Sequence, residues 1–153
     1  MFDRDHDIKV LNSLIATTID SANGFEQSAD VARGGRFEAL FGEFATERRK
    51  LVTTLQDAVR TIGGTPNDDG SLKADLHRRW IDLRAAVTGT GGDKAVIEEV
   101  ERGEDYIKAK YEAAIADDKL SANALEVIRT AFRSVRAGHD TASTLKREMQ
   151  TTS

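Results

Sequence analysis

Apolar residues recur at steps of three and four along most of this chain of 153 residues. That is the period of α-helices packed on one face. The first stripe, over about 5–33, is Ile8, Leu11, Ile15, Ile19, Ala22, Phe25 and Ala29, and Gly34-Gly35 ends it. The second, over about 36–62, is Phe37, Leu40, Phe41, Phe44, Leu51, Leu55, Ala58 and Ile62. Gly63-Gly64-Thr65-Pro66 is a strong stop, with glycine after the last turn and proline just beyond. A polar loop, Asn67-Asp68-Asp69-Gly70-Ser71, precedes a shorter helix over about 72–87 that shows Leu76, Trp80, Leu83 and Val87 on one face. Gly89-Thr90-Gly91-Gly92 closes it. A third long helix, over about 93–116, carries Ile97, Val100, Glu104, Ile107, Tyr111 and Ala114. The fourth begins near Ser121, a good N-cap. It reaches about residue 149 with Leu125, Ile128, Phe132, Val135, His139, Ala142, Leu145 and Met149.

The fold class is therefore all-α, in one domain spanning 1–153. Short links make antiparallel hairpins of the first two and of the last two long helices. The link between the hairpins is roughly 30 residues and holds its own helix. That connectivity suits a four-helix bundle with one long crossover between helices 2 and 3, the ferritin-like arrangement. An up-down-up-down bundle with a capping helix needs the same stripes, and periodicity does not separate the two.

Three stripe positions that should be apolar are ionisable. Glu47 lies three after Phe44, Glu104 four after Val100, and His139 four after Val135. Two readings follow. One is a metal site. Ferritin-like di-metal centres take a Glu from each of two helices and a Glu-x-x-His pair from each of the others. Glu47, Glu104 and His139 are the candidates here, with Glu101 and Glu26 as weaker ones. The pattern is incomplete. Lys50 stands where Glu47 needs a histidine partner, and Arg136 where His139 needs a glutamate. Both are cations that oppose metal binding. The other reading is a buried acid–base network, because a buried carboxylate needs a partner. Arg48, Lys50, Arg129, Arg133 and Arg136 are close to the right heights to partner such carboxylates, and the face of Arg129, Arg133 and Arg136 can form an interhelix ladder with that of Glu98, Glu101 and Asp105.

Composition narrows the function classes. Without cysteine there is no disulfide, thiolate metal site or thiol nucleophile. No apolar run is long enough for a transmembrane helix. The acidic, polar N-terminus does not read as a secretory signal, so a cytoplasmic location is expected. The formal charge of −4 argues against a general nucleic-acid binder. A DNA-binding face on Arg129, Arg133 and Arg136 is diluted by Glu126, Asp140 and the acidic total. No phosphate-binding glycine loop or Gly-x-Ser-x-Gly elbow occurs. Asp68-Asp69-Gly70 is too short for a calcium loop. His6 and His77 read as surface or turn residues. Trp80 reads as the anchor of the short helix, with an indole N–H that needs an acceptor.

Several stretches carry a family resemblance. They are Leu11-Asn12-Ser13-Leu14-Ile15, Asp20 through Phe25, Gly63-Gly64-Thr65-Pro66, Gly70-Ser71, His77-Arg78-Arg79-Trp80-Ile81-Asp82-Leu83, Glu101-Arg102-Gly103-Glu104-Asp105 and His139-Asp140. With them the chain resembles a bacterial family of ferritin-like four-helix-bundle proteins of unknown function. The resemblance implies the crossover topology and brings no assigned activity. The expectation is a non-catalytic bundle without a cofactor that acts by oligomerisation or partner binding, as a homodimer with a role in stress physiology. The alternative is a metal-binding protein or metal-dependent oxidase with a reduced site for iron or another divalent metal.

Overall fold

The computed structural model describes residues 3–87 and 92–151, which form five helices and no strand. These are α1 (Arg4–Val31), α2 (Glu38–Thr61), α3 (Lys73–Ala86), α4 (Gly92–Ile115) and α5 (Ala122–Thr151). Each lies within two or three residues of its expected bounds. Apart from Gly92, the glycine cluster expected to close α3 lies outside the described residues.

Local chemistry accounts for the ends. Asp3 caps α1 by accepting from the Asp5 amide. Ser121 caps α5 by accepting from the Ala124 amide. At the end of α2, Gly63 takes φ +86°, which a side chain would disfavour. Its amide donates to Arg60 and that of Gly64 to Val59, a Schellman stop.

Two apolar clusters show how the chain runs. One gathers Leu11, Ile15, Leu55, Val59, Ile107, Tyr111, Ile128 and Val135. The other gathers Phe25, Phe37, Phe41, Val96, Ile97, Val100 and Ala142. The first lies at the start of α1, the end of α2, the end of α4 and the start of α5. The second lies at the opposite ends. So α1 and α5 run one way, and α2 and α4 the other. Among the four long helices the main packed pairs are α1 with α2, α4 with α5, α1 with α4 and α2 with α5, and among the described residues α2 and α4 make no backbone contact.

The chain must therefore travel the length of the molecule between α2 and α4, and polar residues of α1 pin it on the way. Asn12 accepts from the Asn67 amide and donates to the Thr65 carbonyl. Asp20, buried on α1, accepts from Ser71 twice and from the Leu72 amide, which caps the start of α3 from a different helix. Asp30 accepts from the Trp80 indole N–H at 3.2 Å. Trp80 thus anchors α3, as its sequence position suggested.

The inward stripes of α2 and α5 differ from the expected ones by one residue at several levels: Ala45 for Phe44, Arg48 for Glu47 and Val59 for Ala58 on α2, and Ala124 for Leu125, Ala131 for Phe132 and Gly138 for His139 on α5. On α2 the buried residues are Phe41, Ala45, Arg48, Leu51, Val52, Leu55 and Val59. On α5 they are Ala124, Ile128, Ala131, Val135, Gly138 and Ala142. Small residues sit where the helices approach most closely, and larger neighbours such as Phe44 and Phe132 flank the row. A reading weighted by side-chain size favours the flanks.

Tyr111 is fully buried and lies 2.7 Å from the Thr18 hydroxyl. Thr18 donates its own proton to the Leu14 carbonyl, so the phenol donates to Thr18. Burial pushes the phenol up to about 12 from 10.0, against a smaller downward pull from the Arg48 charge. The folded state then holds a proton that the unfolded state releases. Stability is intact below pH 10 and falls as pH rises toward 12, by about 2–3 kcal/mol at 1.36 kcal/mol per unit. In a Tyr106→Phe variant, whose remaining tyrosine is Tyr111, phenolate absorbance should appear only near pH 12 while the protein is folded. Titration near pH 10 in folded protein contradicts this.

Candidate functional site

The most deeply buried charges lie between the two apolar clusters. Arg48 on α2 and Glu104 on α4 are each 1% exposed. The guanidinium donates to both carboxylate oxygens, at 2.8 and 2.6 Å, and to the Ser21 hydroxyl of α1 at 2.8 Å. It also lies 5.3 Å over the Phe25 ring, within cation–π range. Burial raises the Glu104 carboxyl above its ordinary value, and the charge and hydrogen bond of Arg48 oppose the rise. The two-pronged geometry needs the ionised carboxylate, so at neutral pH the guanidinium balances the buried charge.

α5 makes room for the pair. A Cβ on Gly138 would lie 2.5 Å from Arg48 Nη2 and 2.9 Å from Glu104 Oε2. Glycine is required there by close approach. Each long helix thus supplies one part of this layer, and the ion pair joins the diagonal helices α2 and α4.

The other candidates lie apart from Glu104. Glu47 is half-exposed, with a loose 4.0 Å contact to Lys50; Arg48 holds the inward position expected for Glu47. His139 is on the flank of α5, with Nε2 at 2.6 Å from Asp105 Oδ1. Its Nδ1 is buried without a hydrogen-bond partner and lies 3.6 Å from Asp140. Glu101 pairs with Lys146 at 2.8 Å, and Glu26 with Arg49 at 2.8 Å. Among the described residues no group of three or more His, Asp or Glu is placed to hold a metal ion. The donor set at the centre does not suit one either. Both Glu104 oxygens are taken by a fixed cation.

The expected acid–base ladder between α4 and α5 exists with other partners. Lys146 and His139 supply its bases. Arg129, Arg133 and Arg136 are exposed and form no ion pair among the described residues. Antiparallel packing sets this. Tyr111 stacks on Phe132, so the stretch 129–136 of α5 lies beside the C-terminal half of α4. Glu98, Glu101 and Asp105 are further along. Arg48 was foreseen only as a member of a network. Gly138 was missed, although a glycine inside a helix is costly enough to be a signal.

Comparison with known proteins adds a family and little chemistry. Residues 6–117 match a family described as Domain of unknown function (DUF2383). A stretch of 101 residues, 66% of the chain, is 31% identical to aminopeptidase M1-B of Oryza sativa subsp. japonica. The chain spans only 11% of that relative's length, so the likeness covers a small part of a much longer protein. Among the described residues no helix is long and apolar enough to cross a membrane.

Proposed function

The chain belongs to the family of domains of unknown function DUF2383, and from that premise we propose a ferritin-like four-helix bundle that works by association rather than by metal chemistry. Helix pairing supports the architecture. The two hairpins α1–α2 and α4–α5 are joined by a long connection holding α3, and α2 and α4 are diagonal and parallel. An up-down-up-down bundle would set α2 beside α4, running the opposite way. One observation carries the non-catalytic reading. At the level where such bundles gather metal ligands, Arg48 puts its own cation against Glu104. A guanidinium stays protonated at any ordinary pH and does not exchange with solvent ions. The ion pair fills the role of a metal in balancing buried carboxylate charge, without redox or Lewis-acid chemistry. Association falls to the outer surface, and a homodimer is the first form that it would take.

Elemental analysis of protein purified without chelator tests the first half. Substoichiometric iron, manganese and zinc are expected, with no change in melting temperature on adding these ions. Stoichiometric metal with a raised melting temperature overturns it, since a ligand bound to the native state stabilises that state. Sedimentation across a wide concentration range tests the second half. A dimer is expected, and a monomer at every concentration overturns association between copies.

A further inference from the structure

A cavity of about 230 Å³ lies between α1, α3 and α4, and it is a feature that the buried ion pair does not explain. Phe25, Leu76, Trp80, Leu83, Val100 and Ile107 make it mostly apolar. Two glycines, Gly24 of α1 and Gly103 of α4, also line it. Both lie inside helices, and neither has a positive φ. A Cβ on Gly103 would meet nothing within 4 Å, and one on Gly24 would meet only Leu76, at 3.8 Å. Neither backbone conformation nor close packing calls for glycine there. Alanine would make the better helix at both places. What the glycines preserve is open space.

The charges lining that space do not cancel evenly. Asp20 accepts from Ser71 and Leu72, Glu104 is held by Arg48, and Asp75 is paired with Arg78. Glu99 is gripped by Arg102 at 2.6 and 3.1 Å. Arg79 has only a share in that same Glu99, at 3.8 Å. Each lining carboxylate has close donors of its own, and among the described residues Arg79 has no acceptor nearer than Glu99 at 3.8 Å. An apolar chamber beside a guanidinium that is 40% exposed and not gripped by a carboxylate fits an amphiphile whose head is an anion.

We propose that this cavity binds a small amphiphilic carboxylate, with its hydrocarbon part between α1, α3 and α4 and its head on Arg79. The volume is below the roughly 300–1,000 Å³ of drug-sized sites, which suits a medium-chain acid. Glu104 lines the cavity, but the proposal uses neither its charge nor its pairing with Arg48, and it stands whether or not the protein dimerises.

Titration calorimetry of the full chain with octanoate, octanol and octylammonium tests this. Octanoate should bind best and raise the melting temperature. Arg79→Gln should weaken octanoate about tenfold, the effect of one hydrogen bond to a charged group, and leave octanol unchanged. Gly103→Leu, which fills the chamber, should abolish binding while the helical circular dichroism stays intact. Leu76→Trp fills the same space from α3 and serves if the first variant does not fold. No binding of octanoate, stronger binding of octylammonium, or binding that survives a folded chamber-filling variant overturns the proposal.

Discussion

Replacing Arg48 with methionine should cost about 3–5 kcal/mol of folding stability, the range for breaking a buried ion pair from one side. Methionine keeps much of the length and apolar bulk but leaves Glu104 uncompensated at 1% exposure. Burial already raises the Glu104 carboxyl, and the Arg48 charge is the largest opposing influence. Without it the carboxyl rises further and takes up a proton. The pH dependence follows with a definite sign. A raised acid in the folded state favours folding below the ordinary value of 4.5, and that advantage is lost as pH rises through the raised value. The variant should therefore be closest to wild type in mild acid and furthest from it at neutral pH and above. Urea unfolding at several pH values reads both effects. The double variant Arg48→Met/Glu104→Leu removes both charges, and it should recover most of the loss, because apolar replacements of buried pairs are often neutral or stabilising. If the double variant is as weak as the single one, lost packing rather than lost charge pairing explains the cost.

Gly138→Ala should destabilise the protein by about 1–3 kcal/mol, the usual cost of overpacking a filled site. At an ordinary helix position the same change would gain about 1 kcal/mol, so the sign is the informative part. The new methyl group meets the tips of Arg48 and Glu104. Those tips belong to flexible side chains, but here three hydrogen bonds hold them. Moving either one breaks part of the pair. With Arg48→Ala and Glu104→Ala already made, the obstacle is gone, and Gly138→Ala should turn neutral or stabilising. Thermal unfolding resolves the reversal, since 1 kcal/mol moves the midpoint by about 2–4 °C in a chain of this size. Destabilisation of the same size in both backgrounds would show that Gly138 serves something other than the ion pair.

These two residues also show where sequence reading stopped. The chain's helical period and its glycine and proline stops placed all five helices to within a few residues. Glu104 was legible as an anomaly because its neighbours Val100 and Ile107 are large and apolar. Arg48 and Gly138 were not. At their level the inward rows pass through Ala45 and Gly138, which carry almost no hydrophobic signal. The bulky Phe44 and Phe132 drew the predicted stripes toward the flanks, and Glu47 and His139 came with them. A shift of one residue turns a helix by about 100°, enough to exchange a surface acid for a buried cation.

The sequence by itself determined the local architecture: all-α, four long helices and a short one, with stops where glycine and proline leave no choice. Those outcomes depend on neighbours within a few residues. Which charges meet is a different matter, because it depends on pairs far apart in the chain. Arg48 and Glu104 are 56 residues apart, and Asp20 and Leu72 are 52. Only the packing of α1 against α2 and α4, and of α5 against α2 and α4, sets the heights at which such residues face each other. Tertiary structure therefore decided that the inward glutamate meets an arginine of the same chain.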